Sequence, residues 1–319
     1  MRCGYNLLKK ETKKTNTSEG GPTATGRLSC TKSLTGSGYN LTTATKSQRC
    51  LFIPPPGWWL GQCDLAGADG WTVAAHSFSC GDSTMLDDLN FGLKIAKNIA
   101  VIKEFGRSAL AFTRAEFKEA GKKVDPSGWL YFACKRVQHG SNYGMGGSTM
   151  SSQILKDSFK LFGEPIYVSP QTCEALQALY FQRYRGVLLW HAKLKKILLE
   201  KGALSSASGH KRIFFGRKRD VSGKVNHETF KEMCAEEPQN NTTYATNLAL
   251  HKLWTDPENR YDPTPTQGER TTSNHEQRQF LRVQPIHTVH DSLVFQFRKD
   301  DTAWAVSKVR AWFNNPLTI

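Results

Sequence analysis

An α+β fold is what the sequence predicts, with strands near both ends of the chain and helices concentrated between them. Three observations lead there. The run WWLGQCD (58–64) is a short β-type segment that stops at a carboxylate. The stretch QPIHTVHDSLVFQF (284–297) sets Ile286 and Val289 before a His-Asp-Ser corner and Leu293, Val294, Phe295 and Phe297 after it, which reads as strand, tight turn and strand. Between these two regions, apolar residues recur at spacings of three and four, the period of a helix.

A chain of 319 residues is long enough to bury a sizeable core, as one large or two ordinary domains. It carries 43 Lys and Arg against 28 acids, a net charge of +15, which points to a polyanionic partner and to nucleic acid first. The eight Cys form no C-x-x-C pair, so a zinc site is not expected and reduced thiols are. There is no signal peptide and no apolar run of about 18 residues, so no membrane partner is expected and a cytoplasmic setting is.

Residues 1–22 are polar, with Lys9, Lys10, Lys13 and Lys14 among Ser, Gly and Thr. They read as a flexible lead-in, because such composition buries too little apolar surface to order itself. TATGRLSCTKSLTGSGYNLTTAT (23–45) is an extended Ser/Thr/Gly segment whose hydroxyls and single arginine suit a sugar-phosphate chain, or else an ordinary surface loop. After the Pro54-Pro55-Pro56-Gly57 break comes the strand ending at Asp64, with Asp69 five residues on at a helix start. Carboxylates at such places serve active sites and helix caps alike. A helix is predicted over 86–105, with Leu86, Leu89, Leu93, Ala96 and Ala100 on its core face.

In 128–147, Tyr131, Lys135, His139 and Tyr143 recur every four positions and share one helical face. That face offers a point charge for phosphate and aromatic planes for a base, or else a plain solvated surface closed by glycines. A long amphipathic helix is predicted over 171–201, then a basic hairpin, HKRIFFGRKR (210–219), with five Lys/Arg around an apolar centre. Helix returns over 226–254. A polar loop (256–274) leads to the hairpin at 284–297, whose tip carries Asp291; a last helix is predicted over 301–313.

Two strand-end aspartates, a Lys/Tyr helix face and a large positive surplus together match what phosphoryl transfer needs. Paired carboxylates hold divalent ions, cations neutralise phosphates, and a flat surface receives the base. The segments TGRLS (25–29), DLAGADGWTVAAH (64–76), KRVQHGSNYG (135–144) and VHDS (289–292), with YFQRYRG (180–186), GRKR (216–219) and PQNNTTYATNLALHKL (238–253), follow one order. In that order they resemble the palm and fingers of a family A DNA polymerase, the DNA polymerase I class, of a viral or phage-like kind. The resemblance runs from about Thr23 to Phe297.

The resemblance implies a right-hand fold with an antiparallel palm sheet from both ends of the chain and a mostly helical fingers insertion. It implies a lead-in over 1–22, palm over 23–82 and 236–319, and fingers over 83–235. The implied activity is template-directed DNA synthesis with two Mg2+ ions, on primer-template DNA and dNTPs. Asp64 and Asp291 are the implied metal ligands, with the Leu65 carbonyl beside them. Lys135 is assigned to the triphosphate, His139, Tyr143 and Gly144 to the insertion site, and Asp69 to the sugar 2′ position, where a carboxylate disfavours ribonucleotides. Arg27, Asn40, Gln239 and His290 are assigned to primer or template.

The sequence also departs from the family pattern. Tyr131 stands where an arginine is usual, Ala96 where a triphosphate-binding histidine is expected, and Ser292 where an acid follows the catalytic aspartate. Lys94, Lys97 and Arg136 are the candidate substitutes. Thumb and exonuclease segments and a last palm strand are not found, so an incomplete product, or a separate thumb or exonuclease chain or processivity factor as partner, is expected. The alternatives are a single-subunit RNA polymerase, against which Asp69 argues, and a noncatalytic nucleic-acid-binding remnant.

Overall fold

The computed structural model describes residues 4–6, 29–31, 52–261, 280–289 and 291–316. Near the start, β1 (Gly4–Asn6) pairs antiparallel with β2 (Ser29–Thr31). The rest of the 1–22 segment lies outside the described residues. A turn in which the Trp58 amide donates to the Pro55 carbonyl at 3.0 Å then opens β3 (Trp58–Asp64).

The chain divides into two compact units. One comprises residues 1–68 with 239–318 and the other residues 69–238. The second unit is helical. It begins with α1 (Ala68–Ser79), α2 (Thr84–Asn90) and α3 (Ile95–Phe105). The single helix expected over 86–105 is in fact two, because Gly92 takes a positive φ of 82° that a continuing helix cannot accommodate. A capping box at Thr113 starts α4 (Arg114–Lys123). Next come α5 (Trp129–Asn142) and α6 (Gly147–Phe162).

The long helix expected over 171–201 is likewise split, into α7 (Pro170–Arg183) and α8 (Arg185–Glu200), at Tyr184 with φ −111° and ψ 66°. At the break the Gly186 amide donates to Asp82 at 2.6 Å, so a side-chain carboxylate replaces a helical carbonyl at the start of α8, and the Tyr184 hydroxyl donates to the buried Asp88 at 2.9 Å. Arg183 also grips Asp88 through two nitrogens, and Asp88 is fully buried. Around this anchor packs an apolar core that includes Ile99, Val137, Leu176 and Trp190. The unit closes with a hairpin of β4 (Ala203–Ser205) and β5 (Lys211–Ile213).

Helix α9 (His227–Thr255) has Pro238 inside it, where the unit boundary falls. Beyond the boundary, β6 (Val283–Val289) and β7 (Ser292–Arg298) form the expected hairpin. The sheet of this first unit is antiparallel in the order β3-β7-β6. The register of β6 shifts between Pro285 and His287. Gly61 lies opposite Phe295, and a Cβ there would come within 2.6 Å of the ring; the glycine lets the ring lie flat on β3. The face that carries Leu293, Phe295 and Phe297 is covered by Ala249 and Leu253 of α9 and by Ala305, Val309 and Trp312 of α10 (Thr302–Phe313). No helix among the described residues is long and apolar enough to cross a membrane.

Candidate active site

Asp64 is the last residue of β3 and pairs directly with Ser292, the first residue of β7. Asp291 occupies the turn just before β7, and its carbonyl accepts a hydrogen bond from the Leu65 amide at 3.1 Å. Two residues 227 positions apart in sequence are therefore neighbours at one end of a rigid sheet, and strands hold such groups more firmly than loops do. Asp64 is exposed and Asp291 half-buried. Burial, chiefly, and the Asp64 carboxylate raise the neighbouring Cys63 thiol.

Ser292 is 1% exposed, and its hydroxyl accepts a hydrogen bond from Gln62 at 3.1 Å. A carboxylate at this position would be desolvated, and desolvation of a charge is costly. No group of three or more His, Cys, Asp or Glu poised for a metal occurs among the described residues. Magnesium does not need one, since it is commonly held by one or two carboxylates with waters and substrate phosphates completing the octahedron. The pair Asp64 and Asp291 fits that donor set.

In the second unit, the predicted face of α5 forms as the four-residue spacing requires. Lys135 and His139 are exposed, and Tyr131 is half-buried. Tyr143 caps the helix, its ring meeting that of His139 edge-on at 4.5 Å. Its hydroxyl donates to Asp69 Oδ2 at 2.6 Å, which joins two of the expected nucleotide-site residues. Tyr143 is only 5% exposed, so its ring is not the open stacking plane the sequence suggested. Gly144 has φ 67°, and its carbonyl faces His227 Nε2 at 2.9 Å.

The candidate substitutes for the missing cations separate clearly. Ala96 lies in the core, so no side chain there reaches solvent. Arg136 pairs with Asp157 at 3.3 Å. Lys97 instead lies 6.0 Å from the Tyr131 ring centroid and donates to the Gly121 carbonyl at 2.9 Å. With Lys94, Lys118 and Lys122 it lines a groove of about 160 Å3. Lys118 and Lys122 escaped sequence reasoning, although the lysine-rich text of α4 carried the signal.

Gln239 is half-buried on α9. Arg27, Asn40 and His290 lie outside the described residues. Deeper in the helical unit, His76 Nε2 and Glu237 Oε2 are 3.2 Å apart, with His76 stacked on Trp190 at 5.3 Å. Burial and then Lys193 push the imidazole down to about 4. Burial above all pushes Glu237 up to about 7, against the pull of Lys193.

No family model and no curated protein sequence matches the chain. Its structure is similar to the POL domain of Pol1 from M. smegmatis, solved in complex with DNA primer-template and dNTP. The TM-score is 0.64 at 18% sequence identity, over 92% of this chain and 44% of that one. The chain thus spans less than half of that structure's length, and the likeness is one of fold.

Proposed function

We propose that this chain carries the nucleotide-adding core of a DNA polymerase of the DNA polymerase I class, joining deoxynucleotides to a primer 3′ end. The observation that carries the reading is the adjacency of Asp64 and Asp291 at the hydrogen-bonded ends of β3 and β7. The likeness of fold to a polymerase domain supports it.

In this reading the first unit acts as palm and the second as fingers. Asp64 and Asp291, with the Leu65 carbonyl, hold two Mg2+ ions. When bound, the ions supply the Lewis acidity that activates an attacking hydroxyl and stabilises a leaving pyrophosphate. Lys135 offers a compact positive charge for the triphosphate. Lys97 takes the part of the absent arginine and histidine, since it is the candidate that lies beside Tyr131. Asp69, held by the Tyr143 hydroxyl, excludes a 2′-hydroxyl, and His139 borders the incoming base. Gln239 touches the duplex, as do Arg27, Asn40 and His290.

Primer extension tests this. Extension with dNTPs in the presence of Mg2+, lost in Asp64→Asn and in Asp291→Asn, is expected. Equal or better use of rNTPs would favour the RNA polymerase alternative. Failure of the folded wild-type chain to extend any primer would favour a noncatalytic nucleic-acid-binding protein.

A further inference from the structure

The hairpin β4–β5 and the turn that follows it present apolar side chains to water in the middle of a cationic surface. Phe215 is 92% exposed, Ile213 53% and Val221 100%. Around them Lys211, Arg217, Arg219 and Lys224 are also exposed. The one acid in 211–225 is Asp220, and its Oδ1 is taken up inside its own turn by the amides of Ser222 and Lys224.

The base of this projection is firmly anchored. Arg212 donates to Glu236, itself 1% exposed, at 2.6 Å and to Glu232 at 2.9 Å. The Phe214 ring is buried beneath the Arg212 guanidinium at 4.8 Å, and the Phe214 amide donates to the Gly202 carbonyl. Gly216 packs so closely on Thr229 that a Cβ would meet its Oγ1 at 2.5 Å, while that hydroxyl donates to the Arg217 carbonyl. Phe214 and Phe215 are thus fixed in opposite senses, one pinned inward and the other held outward. A single exposed hydrophobic residue needs no explanation, but an aromatic ring left in water on a segment that also exposes Lys211, Arg217 and Arg219 does.

We infer that this projection binds single-stranded nucleic acid, with a base stacking on Phe215 and Lys211, Arg217 and Arg219 meeting the phosphates on either side. An aromatic plane next to a cationic track is what sequence-tolerant binding of an unpaired strand requires. A duplex buries its base faces and offers Phe215 nothing to stack on. An anionic membrane would satisfy the cations equally, but the fold shared with a polymerase domain favours nucleic acid. That choice of partner shares its support with the proposed function; the exposed ring and the cations of the binding surface do not.

The test is the affinity of the full chain for fluorescent oligo-dT, an abasic oligomer of equal length, a blunt duplex and phosphatidylserine vesicles, at about 0.2 M salt to weaken purely ionic binding. Phe215→Ala is expected to weaken oligo-dT binding about 5- to 100-fold while leaving the abasic oligomer and duplex unchanged, and Phe215→Trp is expected to retain oligo-dT binding. Arg217→Ala with Arg219→Ala is expected to weaken both oligomers. Because Phe215 is exposed, an unchanged melting temperature will show that the fold is intact. The inference is overturned if Phe215→Ala binds oligo-dT as wild type does, if it loses abasic and dT oligomers equally, or if Phe215 matters for vesicles and not for oligo-dT. Should wild type fail to extend primers while the Phe215 effect is present, the polymerase reading falls and the surface stands.

Discussion

Replacing Tyr143 by Phe tests how the proposed sugar selection is built. The substitution keeps a ring that is 5% exposed and removes only the hydroxyl that donates to Asp69 at 2.6 Å. A hydrogen bond to a carboxylate is worth about 1.5–3 kcal/mol, or roughly 10- to 150-fold in the population of the oriented carboxylate. Asp69 is half-buried, so water takes over part of the donor's place and the lower end applies. Single-nucleotide insertion should therefore show the dNTP over rNTP ratio of kcat/KM falling about tenfold in Tyr143→Phe. It should fall at least as far in Asp69→Ala, and the double substitution should be no worse than Asp69→Ala alone, because the two act as one unit. An unchanged ratio in Tyr143→Phe, or effects of the two substitutions that simply add, would refute the reasoning.

Asp88→Asn removes the charge that holds Arg183, and Arg183 is then buried without a counter-ion; a loss of about 3–5 kcal/mol is expected. Urea denaturation reads it, and a loss below about 1 kcal/mol would mean the network is not an anchor. The His76–Glu237 pair predicts a pH signature. Glu237 titrates near 7, above its ordinary value, so its contribution is full at low pH and is lost as pH rises from about 4.5 to 7. His76 titrates near 4, below its ordinary value, so its contribution is full above about 6.5 and is lost as pH falls towards 4. The slopes oppose each other in the wild type, and Glu237→Gln should expose the histidine alone, with stability falling from pH 6.5 to 4; identical wild-type and variant profiles would sink the assignment. Gly186→Ala should destabilise the helical unit by roughly 1–3 kcal/mol, because its Cβ would come within 2.0 Å of Ser77 Oγ, and an unchanged melting temperature would contradict the packing.

What could be read from the sequence was local. The hairpin β6–β7 announces itself through β-type residues on both sides of a polar corner, and the α5 face through residues four apart, so Asp291, Lys135 and His139 were identifiable one by one. The breaks between α2 and α3 and between α7 and α8 were not legible. The second break involves Asp82, which lies 104 positions from the amide it binds, and nothing in the local pattern marks a carboxylate as a replacement for a helical carbonyl. The bond from Tyr143 to Asp69 spans 74 positions for the same reason. Burial of the Tyr143 ring could not be inferred from a spacing that fixes only the side of the helix it occupies.

The three departures from the family pattern have physical settings of their own. An acid in place of Ser292 would sit in a site that is 1% exposed, where the serine hydroxyl already accepts from Gln62. A histidine in place of Ala96 would face the apolar core rather than a ligand. Tyr131 replaces a cation, yet the next cation is near, because Lys97 on α3 lies 6.0 Å from its ring and shares a groove with Lys94, Lys118 and Lys122. In the proposed reading these lysines of α3 and α4 supply the positive charge that Tyr131 and Ala96 do not. Asp64 and Asp291 at the ends of β3 and β7, together with lysines grouped near Tyr131 in the helical unit, favour the proposed catalytic reading over the noncatalytic one.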